Sequence, residues 1–248
     1  MGIGVLLAVA STMGYTFTTL SLTLLKRKAG AVSTTYIFIF AFAANTILHI
    51  LLFGELLPHG MALLHIVFLG ISGMIGYVVG FFFMIKALKL IGPRLVLLIV
   101  ISTAIFSFIL GWVFLGETQS LISFAYVGLV LFGIFIVILN TTETGGALPE
   151  AAVGLNRRAV MGLGILFSVV VSICQAVGLL FSKLVLMTGF TPISVNSYRL
   201  LFAAGSMVLI TSCSGWKEEI TSRSFSRREW ILLGLASVIG PVLGNALL

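Results

Sequence analysis

Ser72 lies in Gly70-Ile71-Ser72-Gly73, a setting of small residues in which a hydroxyl could act as a nucleophile. Serine attack needs a base beside the hydroxyl. In intramembrane proteases with this kind of motif, the base is a histidine from a later helix. Here His49, His59 and His65 all precede Ser72, and none follows. The chain has no aspartate, which excludes a paired-aspartate protease, and no His-Glu-x-x-His zinc motif. The sequence therefore predicts no enzyme, no catalytic residue, no metal site and no cofactor. Ser72 reads as a small residue packed between helices.

The seven acidic residues, Glu55, Glu117, Glu143, Glu150, Glu218, Glu219 and Glu229, all fall in loops or at the ends of apolar runs. Arg199 is the one clear ionisable residue well inside such a run. A charge at that depth is costly and faces either a partner or a cavity. One reading makes Arg199 a contact for an anionic or zwitterionic metabolite. The other makes it a snorkelling side chain, because it lies six residues after Ile193, or about 9 Å in at the helical rise. Ser11, Tyr15 and Thr18 follow i, i+4, i+7 spacing, and Ser168, Ser172, Gln175 and Ser182 share roughly one helical face. Such stripes either line a cavity or hydrogen-bond helix to helix. Tyr77 and Asn245 are further candidates of the same type. Trp112 and Tyr126 read as packing residues.

These residues need elements to hold them. Of 248 residues, 60% are hydrophobic and 8% charged, far below the ~25% charged of a soluble domain. The apolar runs are unbroken over lengths that span a bilayer as helices; barrel strands would alternate. Eight candidate spans lie near 3–25, 33–53, 63–86, 93–115, 119–139, 159–186, 193–213 and 229–248. Residues 141–158, rich in Gly, Thr and Ala, read as a flexible linker.

The net charge of +7 does not point to nucleic acid, because the basic residues flank the spans. Lys26, Arg27, Lys28, Lys86, Lys89, Arg94, Arg157, Arg158, Lys217, Arg223, Arg227 and Arg228 all fall on the odd-numbered loops. Only Lys183 lies on the other side. The positive-inside rule predicts cytoplasmic odd loops and an outside N-terminus, in a cell inner or plasma membrane. Cys174 and Cys213 both sit in apolar runs and form no evident pair.

The segment GISGMIGYVVG at 70–80 has a twin, GLASVIGPVLG at 234–244, at a constant offset of 164. Gly70, Gly76 and Gly80 align with Gly234, Gly240 and Gly244, while Gly73 meets Ser237. A fainter echo pairs FAAN at 42–45 with FAAG at 202–205. Small residues four apart let helix backbones approach closely, so all seven glycines read as helix-packing positions. If each repeat has five spans, an odd number, the two copies must be inverted in the membrane.

The segment FFFMIKALKLIGPRLVLLIVISTAIFSFILGWVFLGETQS at 81–120 resembles EamA-type members of the drug/metabolite transporter superfamily. Ala87-Leu88-Lys89 resembles the end of that family's third span, and Leu115-Gly116-Glu117 the end of its fourth. NSYRLLFAAGSMVL at 196–209 resembles the arginine-containing second span of a family repeat. The resemblance implies an all-α polytopic fold of inverted five-helix repeats. Residues 1–140 would form the first, 141–158 the linker, and 159–248 a second repeat with three of its five helices. Ten spans are expected of an intact relative, so roughly 56 residues beyond Leu248 would complete this chain. The implied function is a small-molecule permease working by alternating access at a midplane cavity, with the first and sixth spans lining it. The first span lacks the buried glutamate that related small exporters use for protons and cationic drugs. The expected partners are an unidentified small-molecule substrate and the lipid bilayer. A non-transporting truncated scaffold or subunit is the alternative reading, and an intramembrane serine enzyme a distant one.

Overall fold

The computed structural model describes residues 2–24, 31–118, 120–143, 157–213 and 225–245. Lys26, Arg27, Lys28, Lys217, Arg223 and most of the 141–158 linker lie outside the described residues. All regular structure within them is helical. Helices α1 (Gly2–Leu24) and α2 (Ala31–Phe53) are followed by α3 (Leu63–Ser72), which opens into a π-helical stretch, Gly73–Val79. Then come α4 (Gly80–Val100), α5 (Thr103–Leu115), α6 (Leu121–Glu143), α7 (Arg157–Leu186) and α8 (Pro192–Cys213). Helix α9 (Arg227–Ser237) ends the chain and also opens into a π-helical stretch, Val238–Gly244. Among the described residues four stretches are long and apolar enough to cross a membrane: Val32–Phe53, Leu63–Val100, Arg158–Leu186 and Pro192–Cys213.

The spans occur in the expected order, with two local differences. The third continues past residue 86 to 91 and breaks at Gly92, whose φ of 74° is left-handed. Pro93 then starts the next helical stretch, where its missing N–H and fixed φ cost least. The fourth is interrupted at 101–102, where the Ser102 hydroxyl donates to Ile99 O at 2.6 Å. That local bond competes with the helical ladder.

The chain forms two compact units, one of residues 1–78 and 181–248, the other of residues 79–180. In the first unit, polar residues share the interior with apolar ones such as Phe38, Leu69 and Leu200. Ser33, Asn45, Ser72, Ser197 and Ser237 are fully buried while Leu51, Leu63 and Leu209 are largely exposed. Apolar side chains belong outside when the solvent is lipid, and backbone and polar groups must then find partners within the protein.

Those partners fix the helix directions. Thr35 bonds Thr211 (2.8 Å), Asn45 bonds Ser197 (2.9 Å) and His49 bonds Ser194 (3.1 Å), so α2 and α8 run antiparallel. Ser11 Oγ donates to Gly244 O (2.7 Å) and Thr18 Oγ1 to Ala236 O (2.8 Å), which sets α1 against α9. Ser72 bonds Ser182 (2.9 Å), Phe68 stacks on Phe181 and His65 on Phe190, so α3 opposes the end of α7. Thr18 and Ser182 are 164 apart, as are Ser72 and Ala236. Exchanging equivalent positions therefore converts one of these hydrogen-bonded pairs into the other.

In the second unit, α7 packs against α4. A side chain at Gly164 would collide with Ile91, and Phe167 lies 5.4 Å from Phe83. The Lys86 ammonium sits 4.3 Å over the Phe82 ring and near Phe83 and Phe167, an arrangement that holds an interfacial cation on aromatic faces. Helix α6 is apolar and largely exposed, with Leu129 68% and Phe132 60% accessible.

The glycines divide. A Cβ on Gly73 would strike the backbone carbonyl of Arg199, and one on Gly240 the Thr18 side chain. Gly244 lies against Tyr15 and Gly70 against the Phe202 ring. Gly76 and Gly80 are buried. Gly234 is a correction: nothing lies within 4 Å of its added Cβ, because its face of α9 turns away from the neighbouring helices. Gly14, which the spacing did not single out, abuts the backbone of Ile239. We expect Gly73→Ala to destabilise the fold by about 1–3 kcal/mol, since overpacking against backbone has no easy relief. Gly234→Ala should be neutral or stabilising. Thermal unfolding of the two purified variants in detergent measures the difference.

Candidate functional site

Pro241 lies within the second π-helical stretch and has no N–H to give. The backbone N–H of Asn245 goes to Val242 O, not to Pro241 O four residues back. Pro241 O instead gathers two side-chain amides, Asn196 Nδ2 and Asn245 Nδ2, each at 2.9 Å. This brings α8 and the end of α9 together at one point.

Arg199 stands beside that point. It is 5% exposed, so the snorkelling reading does not hold. Its Nη1 donates to Asn245 Oδ1 at 3.3 Å, and its guanidinium carbon lies 4.6 Å over the Tyr77 ring. The first contact fixes the amide of Asn245, with its oxygen toward the arginine and its nitrogen toward two phenols. Asn245 Nδ2 lies 2.5 Å from Tyr77 Oη and 2.6 Å from Tyr15 Oη.

From there the bonds run on in one direction. The Tyr77 hydroxyl donates to Asn196 Oδ1 (3.0 Å) and Asn196 Nδ2 to Asn45 Oδ1 (3.1 Å). Asn45 Nδ2 donates to Ser197 Oγ (2.9 Å), and Ser197 Oγ to Ile193 O (3.1 Å). Every acceptor oxygen in the series faces back toward the arginine. Phe38 packs beside Tyr77, with ring centroids 5.4 Å apart. Tyr15 is half-buried; Asn45, Tyr77, Asn196, Arg199 and Asn245 are buried.

Among the described residues no carboxylate takes part. Glu55 is exposed in the 54–62 loop, where His59 Nδ1 lies 2.9 Å from it and holds its carboxyl below the usual range. Glu229 accepts from the Ser226 N–H at 2.7 Å in the capping box that starts α9. Among the described residues no group of three or more His, Cys, Asp or Glu could hold a metal ion.

The sequence candidates are distributed as follows. Tyr15, Tyr77, Arg199 and Asn245 meet in this cluster. Ser11 and Thr18 are engaged with carbonyls of the last helix, as helix-to-helix bonds. Ser168, Ser172 and Gln175 belong to the other unit. There Ser168 donates to Gly164 O, Ser172 to Ser168 O and Ile99 O, and Thr103 to Gln175 Oε1. In these stripes the hydroxyls of Ser11, Thr18, Ser168 and Ser172 serve backbone carbonyls, Ser182 bonds Ser72, and Tyr15 joins the cluster. Asn45, Asn196 and Ser197 were not among the candidates. Their signal was a carboxamide or hydroxyl inside an apolar run, the same signal that singled out Gln175.

Residues 2–139, more than half the chain, match the EamA-like transporter family. No curated protein and no solved structure gives a significant match.

Tyr77 both donates and accepts within the cluster; Tyr77→Phe leaves the buried Asn196 Oδ1 short of its donor, while Asn245 Nδ2 keeps Tyr15 Oη and Pro241 O. We expect a loss of about 1–3 kcal/mol in unfolding free energy. Tyr198→Phe removes one bond, to Pro58 O at 3.2 Å from a half-buried residue, and should cost less than about 1 kcal/mol. Denaturant unfolding in mixed micelles compares the two.

Proposed function

Because the chain belongs to the EamA-like transporter family, we propose that it is a secondary transporter of a small molecule. It is an integral membrane protein whose two halves, 1–140 and 159–248, are inverted copies joined by the 141–158 linker. Alternating access comes from rocking of one half against the other around the polar cluster. The odd-numbered loops are cytoplasmic and the N-terminus lies outside.

One observation carries this reading. The cluster draws Tyr15, Asn45 and Tyr77 from the first half, and Asn196, Arg199 and Asn245 from the second. Helices of opposite halves meet antiparallel on both flanks, through Thr18–Ala236 on one and Ser72–Ser182 on the other. A centre shared by opposed copies lets either side open by an equivalent motion. Ser72, the one serine in a protease-like setting, is engaged with Ser182 on such a flank. Its hydroxyl is part of the contact that would break and re-form.

Reconstitution into liposomes tests the function, with counterflow of a labelled panel of amino acids and small carboxylates as the measurement. Binding without flux would favour a non-transporting scaffold. The mechanism has its own test in a Ser72→Cys/Ser182→Cys variant with Cys174 and Cys213 replaced by alanine. Oxidation should form a disulfide across the flank and stop flux, and a reductant should restore it. Flux that continues through the oxidised protein refutes rocking of the halves. In the same cysteine-free background, Thr188→Cys should react with an impermeant maleimide from outside and Ser226→Cys only after permeabilisation.

A further inference from the structure

We infer that the Arg199 cluster is a binding site for the carboxylate of a small, singly charged substrate. The inference rests on the transporter reading and names the class of its cargo.

Arg199 is buried, yet its Nε has no hydrogen-bond partner. Its guanidinium makes one side-chain bond, Nη1 to Asn245 Oδ1, at the long distance of 3.3 Å. A guanidinium carries five donors in a fixed fork, so most of its donor capacity is unspent. A buried cation whose donors are left over is strongly unfavourable until an anion or further acceptors satisfy it. Among the described residues the neighbouring oxygens are engaged elsewhere: Tyr77 Oη, Asn196 Oδ1 and Asn45 Oδ1 each receive a donor from the preceding member of the series and none bonds the guanidinium. The carboxylates of this unit that are described, Glu55 and Glu229, are held in other places by His59 and Ser226.

The chemistry of the missing partner follows from the fork. With Nη1 turned to Asn245, the edge bearing Nε remains, and that edge presents two parallel N–H groups. A carboxylate matches it bidentately. One arginine balances one negative charge. A dianionic phosphate would bury an excess charge, since the cluster holds no second cation. Tyr15, Tyr77 and Phe38 surround the site with aromatic surface suited to the apolar body of the same molecule. Tyr15 is the least buried member and marks the approach.

Thermal unfolding of the full chain in detergent, in a Tris sulfate buffer free of carboxylates, provides the test. Acetate and benzoate are the probes, benzamide is the neutral control for benzoate, and inorganic phosphate is the dianion. Benzoate well above its dissociation constant should raise Tm by about 3 °C or more, while benzamide should leave it within 1 °C. Asn245→Asp places an internal counter-ion against Arg199. It gives up the amide hydrogens that go to Tyr15, Tyr77 and Pro241 O, so its own starting Tm is the reference, and it should abolish the benzoate shift. Arg199→Lys, which retains the charge but loses the fork, should reduce the shift.

Equal shifts with benzoate and benzamide overturn the proposal. So do no shift with either carboxylate, a larger shift with phosphate, or a full benzoate shift in Asn245→Asp. Counterflow separates this from the transporter reading. Flux of a neutral solute that is insensitive to Asn245→Asp leaves transport standing and removes the anion site. A benzoate shift without any flux does the reverse.

Discussion

The burial of one positive charge without a carboxylate is the constraint around which the first unit is organised. Moving a guanidinium from water into a low-dielectric interior costs several kcal/mol even after relaxation. Here the cost is met in part by dipoles. Asn245, Tyr77, Asn196 and Asn45 each turn an oxygen toward Arg199 and a hydrogen away from it. Bonds aligned in one direction polarise one another. The series therefore spreads the charge over four helices, ending on the α8 carbonyl of Ile193.

Close approach makes the series possible. The α8 backbone at Arg199 sits where a side chain on Gly73 would be, and Thr18 and Tyr15 of α1 occupy the space beside Gly240 and Gly244. Each contact lies in or beside a π-helical stretch, Gly73–Val79 or Val238–Gly244. A widened turn shifts the face presented by everything after it. In each stretch a glycine at the contact is followed within five residues by a polar side chain of the cluster: Tyr77 after Gly73, and Asn245 after Gly240. The glycines that looked like a packing motif are thus also the means by which two helices deliver hydroxyl and amide to a third.

The sequence revealed what the bilayer dictates and concealed what helix phase dictates. Spans could be read because lipid demands about twenty apolar residues at a time, and Gly92-Pro93 marked its own break. The interruption at Ser102 left no comparable mark, because it depends on a hydroxyl choosing a carbonyl three residues back. Tyr15, Tyr77, Arg199 and Asn245 stood out as polar groups in oil. That they meet could not be read, since a regular 3.6-residue phase misplaces residues beyond a widened turn. Asn45 and Asn196 were passed over although they are the middle of the series. The hydroxyl stripes are ambiguous for another reason. A serine or threonine in a span commonly returns its hydroxyl to the carbonyl four residues back, as Ser168 and Ser172 do, so a stripe of them does not distinguish a wall from a seam.

The scaffold and its centre differ in symmetry. Thr18–Ala236 and Ser72–Ser182 exchange under the offset of 164, and both stretches that widen the helix lie at related places. The charged cluster does not exchange. The position 164 before Arg199 is Thr35, whose hydroxyl bonds Thr211, and the position 164 before Asn245 is Phe81. Tyr77 corresponds to Pro241, the residue whose carbonyl receives the amides. On the mechanism proposed above, two opposed states of similar energy need a symmetric frame, because equivalent contacts would break and re-form on the two flanks. On the same proposal, selecting one kind of molecule needs an asymmetric site, because a charge duplicated on both halves would bury twice the cost for a single ligand. The pairs that exchange under the offset, around one arginine that does not, fit both requirements of that proposal.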